Sequence, residues 1–289
     1  MFKRQTTGSV VCVSCGSLVG VNDDQCYNCG RRNPGLWGFG PALRRLGNDF
    51  GFINIVFYGC IGLYALGLLI SVLLGADIMG RGPLGMLSAD YRVQFLLGAS
   101  GATPVFELGM WWTVLSAGWL HGGALHILFN MMWVRNLGPA TADIYGGARM
   151  VIIYTAASVG GFTFSSVAGL FNIPLIGSGL TVGASAPIFG LLGALLYYGR
   201  RGGSSMIHAE AKGYAIALAL FGLIMPGVDN GAHLGGFLGG YGMGMVLDPL
   251  KREQVSHMMW AVVCLALTAL AILMSVWKIF PMIIGRPSF

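Results

Sequence analysis

At 289 residues, 55% hydrophobic and 10% charged, with a mean hydropathy of +0.71, the chain is too apolar to be a soluble domain. Its formal net charge of +6 invites a nucleic-acid partner, but position argues otherwise. The basic residues flank apolar stretches of membrane-crossing length, roughly 20 residues for about 30 Å of hydrocarbon, so no nucleic acid is expected.

In chain order, residues 1–34 read as a small polar module. Two CxxCG knuckles, Cys12/Cys15 and Cys26/Cys29, can fold a pair of turns around one tetrahedral zinc. With four thiols the site has no open position, so the metal is expected to be structural, in a zinc-ribbon-like domain with a possible cytosolic partner. Residues 35–50, with Trp37, Pro41 and the pair Arg44–Arg45, read as a linker and interfacial anchor. Membrane spans are expected near 53–75, 116–137, 149–171, 185–199, 213–227, 231–247 and 259–280. The mixed segment 76–115 between the first two is expected to lie on the outer membrane surface. Cys60 and Cys264 fall inside spans and read as small buried hydrophobes. The last span has no interior charge and carries no chemistry, so residues 251–289 read as an additional helix and tail.

Seven spans with the N-terminus inside put Lys3, Arg4, Arg31, Arg32, Arg44, Arg45, Arg135, Arg149, Arg200, Arg201, Lys212, Lys251 and Arg252 on one side. Only Arg81, Arg92, Lys278 and Arg286 fall on the other. That bias predicts a cytoplasmic N-terminus in a multi-pass protein of a cell membrane.

Polar groups recur near one end of three of these spans. They are His126 and Asn130 in HGGALHILFN, Ser185 in GASAPIFG, and His233 in NGAHLGGFLGG. Polar side chains are costly in hydrocarbon and mark function by default. The orientation above brings all four to similar depth toward the outer face. Each also has a structural reading. Ser185 before Ala-Pro suits a helix N-cap, and His233 would be satisfied by Asp229 one turn earlier. His126 and Asn130, four residues apart on one face, would serve interhelical hydrogen bonding. Gly236, Gly240 and Gly244 share the His233 face, while Phe189 and Gly193 share the Ser185 face. Docking those faces would carry the hydroxyl toward the imidazole.

No Asp or Glu lies within these three spans near the polar groups, which favours a Ser-His dyad over a triad. His233 would take the Ser185 proton and return it to the leaving amine. Asn130, His126 and the Ser185 N–H would hold the oxyanion, and His121 would help line the cavity. No cofactor is needed for such catalysis. A transporter would instead need midplane charges and inverted repeats, and neither is present.

At these residues the chain resembles the rhomboid family of intramembrane serine proteases. The resemblance covers about residues 50–250 and rests on three motifs in order. It implies an all-α polytopic membrane protein, a six-helix bundle over 51–250 plus one C-terminal transmembrane helix. It implies Ser185 as nucleophile, His233 as base, His126 and Asn130 in the oxyanion site, and Phe189 as the aromatic packed near the histidine. The implied substrates are transmembrane segments of membrane proteins within the bilayer. The alternative is an inactive family member that binds membrane clients without cutting them. Departures from the family pattern are Ala186 after the serine, Thr113 after Trp112, and Ala142 where a glutamate often stands.

Overall fold

The computed structural model describes residues 4–44, 49–79, 86–251 and 253–284. The cysteine module opens with strands β1 (Ser9–Val11) and β2 (Leu18–Gly20). They pair antiparallel with Val10 opposite Val19. Val10, Val19 and Val21 turn inward against Cys12 and Cys26. Each knuckle closes with an N–H···O bond, Gly16 to Cys12 at 3.0 Å and Gly30 to Cys26 at 2.9 Å. Both glycines have positive φ, 79° and 70°, the conformation L residues avoid. A short helix, α1 (Gly40–Arg44), follows. The paired-arginine anchor expected there falls outside the described side chains.

Among the described residues seven long helices form the body: α2 (Phe52–Leu73), α5 (Ala124–Tyr145), α6 (Gly147–Leu170), α7 (Ser185–Arg200), α8 (Ser205–Ile224), α9 (Asn230–Val246) and α10 (Val255–Ile284). Between α2 and α5 lie α3 (Tyr91–Leu97) and α4 (Thr113–Ser116). By length and composition α2, α6, α8 and α10 are long and apolar enough to cross a membrane. The other three, α5, α7 and α9, are the helices that carry the polar groups. Two are short, at 16 and 17 residues, and α5 contains Arg135 and Asp143.

Two expected spans are corrected. The span placed at 116–137 begins only at Ala124, because Ala117–Trp119 is a separate turn that Leu120 leaves in extended backbone. The span placed at 213–227 begins at Ser205, where the Ser204 hydroxyl caps the helix. Hydropathy hid the first two turns of α8 because Glu210 and Lys212 lie at their end.

The short helix α7 is the centre of the bundle. Residues Ala186–Leu195 are all buried, against α9, α6, α8 and α5. At 1.5 Å per residue its 16 residues span about 24 Å, less than the hydrocarbon thickness of about 30 Å. Glycine permits its contact with α9. A methyl added at Gly240 would lie 2.0 Å from the Gly190 oxygen, and one at Gly236 would lie 2.2 Å from the Ala186 oxygen. From the other side, a methyl at Gly193 would meet the Phe237 oxygen at 2.3 Å. A second face of α9 meets α6, with Gly235 against the Gly160 oxygen at 2.7 Å. Close backbone approach of this kind replaces the hydrophobic driving force that lipid removes.

Replacing Gly240 with Val should lower stability by at least ~1–3 kcal/mol through overpacking, read as a lower thermal unfolding midpoint in detergent. Gly242→Ala, with nothing within 4 Å of the new methyl, should leave the midpoint unchanged. Equal effects would contradict the packing account.

Candidate active site and metal site

Ser185 is the first residue of α7. The N-cap is Ala184, with no side-chain cap bond, so the hydroxyl is not engaged as a helix cap. The first intrahelical bond runs from Ile188 N–H to the Ala184 oxygen at 3.0 Å. The Ser185 and Ala186 N–H groups precede it and have no acceptor within the helix. The chain enters α7 through Gly183, at φ +139°. A methyl there would lie 2.7 Å from His126 Nε2 and 3.5 Å from Ser185 Oγ. Imidazole and hydroxyl therefore flank the same glycine.

His126 accepts the Gly122 N–H on Nδ1 at 3.3 Å. The proton of its neutral ring therefore belongs on Nε2, the nitrogen beside Gly183. Asn130 is buried, and its Nδ2 donates to the His126 oxygen at 2.9 Å, bracing the turn that carries His126. His121 is buried and packs edge-on against His126, with ring centroids 5.1 Å apart.

His233 lies in the first turn of α9, buried, with its ring stacked on Phe189 at 4.2 Å and 17°. The suggested partner Asp229 does not reach it. One Asp229 oxygen accepts the Ala232 N–H at 2.9 Å and the other accepts the Ser165 hydroxyl at 2.5 Å. His233 Nδ1 is buried without a partner among the described residues. Phe189 is one turn beyond Ser185, and Gly236 is one turn beyond His233. Their contacts bring the first turns of α7 and α9 to the same end of one interface. Among the described residues, no hydrogen bond joins the Ser185 hydroxyl to the imidazole.

A cavity of about 700 Å³ opens beside His126, and neither Ser185 nor His233 is among the residues that line it. It is walled by Tyr91 and Gln94 of α3, by Gly177–Val182 before α7, and by Gly222–Asn230 between α8 and α9. His126 lines it. The expected lining residues His121 and Phe189 do not, because one is buried against His126 and the other under His233. The wall before α7 is tied to the preceding loop by the Ser100–Thr181 pair, at 3.0 and 2.6 Å.

Three contributors were not singled out from sequence. Gly183 stands within GASAPIFG, yet only its positive φ reveals why it must be glycine. Asn230 donates to the Gly222 oxygen at 3.1 Å and ties the end of α8 to α9. Gly161 of α6 fits between Ala186 and the Ala232 oxygen, beneath both candidate reagents.

Residues 108–250 match the rhomboid domain. The chain carries a rhomboid domain. The RHOMBOID-like protein 5 of Arabidopsis thaliana is 34% identical over 201 residues, 63% of this chain and 59% of the relative. The RHOMBOID-like protein 4 of the same plant is 36% identical over 140 residues, 47% of this chain and 34% of the relative. Rhomboid protease GluP of Bacillus subtilis is 32% identical over 136 residues, 46% of this chain and 25% of the relative. The chain thus spans under two thirds of the length of each of these relatives. The rhomboid-domain match begins after α2 and α3.

The four thiols of the N-terminal module form a second site. Cys12, Cys15, Cys26 and Cys29 offer sulfurs all within 4.8 Å of one another. Cys12 and Cys29 are 3.8 Å apart and Cys15 and Cys26 are 3.6 Å apart. A tetrahedron with metal–sulfur bonds of ~2.3 Å has edges of about 3.8 Å, so the set can hold one metal ion. The Ser17 hydroxyl pulls the Cys15 thiol down to about 6, and burial pushes Cys12 up to about 11.

At the start of α3, Asp90 caps the helix by accepting the Arg92 N–H at 2.8 Å, and it pairs with the Arg92 guanidinium at 2.9 Å. Burial works against its carboxylate, but Arg92 outweighs burial and holds it below the ordinary range. A carboxylate whose folded value lies below its unfolded one stabilises above the unfolded value. It loses that contribution as pH falls through the folded value. Asp90→Ala should therefore cost α3 about 1 kcal/mol, seen as faster amide exchange over 91–97. The same loosening should appear in the unsubstituted protein on acidification. Unchanged exchange would reject the cap.

Proposed function

We propose that the protein is an intramembrane serine endopeptidase that cleaves transmembrane segments of membrane proteins. Ser185 is the nucleophile and His233 the general base. The observation that carries this reading is the backbone contact of α7 on α9, with Phe189 stacked on His233. Ser185 Oγ attacks the scissile carbonyl carbon while His233 accepts its proton. The tetrahedral oxyanion is met by the Ser185 N–H, His126 Nε2–H and the free Asn130 amide hydrogen, donors in a low-dielectric site. Collapse expels the amine, which takes the proton back from His233. A water admitted through the cavity then releases the acyl group by the same route.

The zinc reading of the cysteine module rests on the sulfur spacing and the two glycine-closed knuckles, and a closed set of four thiolates makes that metal structural. The charge asymmetry supports a cytoplasmic N-terminus, with the cavity facing the opposite surface of a cell membrane. One relative's name, Rhomboid protease GluP, agrees with peptidase activity in this family.

The test is incubation of purified protein in detergent with a model transmembrane substrate. Ser185→Ala and His233→Ala should each lose at least ~1000-fold in cleavage rate while keeping the wild-type unfolding midpoint. Equal product from all three proteins would eliminate the dyad. Substrate capture without cleavage by the unsubstituted protein would replace this reading with that of a client-binding family member.

A further inference from the structure

The cysteine module does not hang free of the helices. Ser14, between the two cysteines of the first knuckle, donates to the Glu253 carbonyl at 3.4 Å. Arg31, directly after the second knuckle, donates to Met258 Sδ at 3.5 Å. One group from each knuckle thus reaches the same short segment, more than 200 residues away in sequence. The segment is the connection between α9 and the start of α10. Arg31 is half-buried there, and its Nε is buried without a partner among the described residues.

The connection is also gripped from within. Arg149 Nη1 donates to the carbonyls of Leu247, Asp248 and Lys251 at 2.8, 3.0 and 2.8 Å, meeting the acceptors that the end of α9 leaves open. The Glu253 carboxylate accepts the Arg149 N–H at 3.1 Å. It fills the notch over Gly146, where an added methyl would lie 2.6 Å from it. A carboxylate at the first turn of α6 is favoured by the helix dipole. The far end of α10 is fixed as well, with Trp112 Nε1 donating to Ser275 Oγ at 3.0 Å.

We infer that the cysteine module is a clasp over the α9–α10 connection, and that the metal joining its knuckles sets whether the clasp is closed. The metal half of this inference rests on the zinc reading above. Among its described residues the module has a three-residue ladder, one further bridge between Gln25 and Arg32, and three inward valines besides its thiols. A core that small does not hold its shape without its ion. Loss of the metal lets the knuckles part, and Ser14 and Arg31 are then no longer presented together. The connection keeps its grip on Arg149 but loses its outer cover.

The test uses the full chain in detergent and a glutamate-specific endopeptidase, following cleavage after Glu253. Cleavage after Glu210, on the exposed face of α8, serves as internal reference, and metal content is measured by atomic emission. Stripping the metal with a chelator should speed cleavage after Glu253 by ~10-fold or more, as expected for local opening, and leave Glu210 unchanged. A Ser14→Ala/Arg31→Ser double variant should match the stripped rate with its metal still bound. Equal cleavage after Glu253 in loaded and stripped protein would overturn the switch. A double variant that keeps both metal and full protection would overturn the clasp. A wild type purified without metal overturns the zinc reading, and the double variant then tests the clasp alone, with unchanged protection rejecting it.

Discussion

At Gly240 an added methyl would lie 2.0 Å from the Gly190 oxygen, so α7 and α9 pack backbone to backbone. The positions of the other helices follow from that approach. It draws α6 in through Gly160, Gly161 and Gly235, leaving the ten residues Ala186–Leu195 without any exposed face. Lipid tails are as apolar as leucine, so helices in a bilayer associate through packing and hydrogen bonds and gain little from burying apolar area. Glycine supplies the packing. It also decides where the two first turns meet, and therefore where a hydroxyl and an imidazole stand relative to one another.

Around that contact, polar side chains are mostly satisfied locally. The Tyr145 hydroxyl donates to the Ala194 oxygen at 2.8 Å, Thr141 to the Leu137 oxygen at 2.8 Å, and Ser166 to the Phe162 oxygen at 2.6 Å. These bonds let polar residues sit inside the bundle at little cost. Among the described residues His233 Nδ1 departs from that pattern, as do both ring nitrogens of His121 and the Tyr154 hydroxyl. A buried titratable group left without a partner is the kind of local inconsistency that functional sites carry. The cavity wall is stitched separately, through Asp229 to Ser165 and Asn230 to Gly222. The site's two helices and its rim are thus fixed by different bonds.

Much of this was legible in the sequence. The glycine stripe on the His233 face was readable because its members recur at helical spacing, and small residues at that spacing have one main use in a bilayer. The cysteine knuckles were readable because CxxCG specifies both the ligand spacing and the turn. Helix starts were less legible. The turn Ala117–Trp119 is as apolar as the helix after it, so hydropathy merged the two, and Glu210 with Lys212 disguised the first turns of α8. The role of Asp229 depended on which way a carboxylate turns from a helix N-terminus, toward Ser165 or toward His233. Local sequence does not encode that choice. Nor does it encode the meeting of Ser14 and Arg31 with Glu253 and Met258, which exists only once the first and last thirds of the chain have folded together.

The most direct measurement is covalent labelling of the folded protein with a serine-directed fluorophosphonate, with the adduct located by peptide mass spectrometry. If the α7–α9 contact activates the hydroxyl, the label falls on Ser185, and Gly236→Leu greatly slows it in protein that still unfolds cooperatively. An unlabelled Ser185 in the unsubstituted protein, or equal labelling in that variant, would contradict the account.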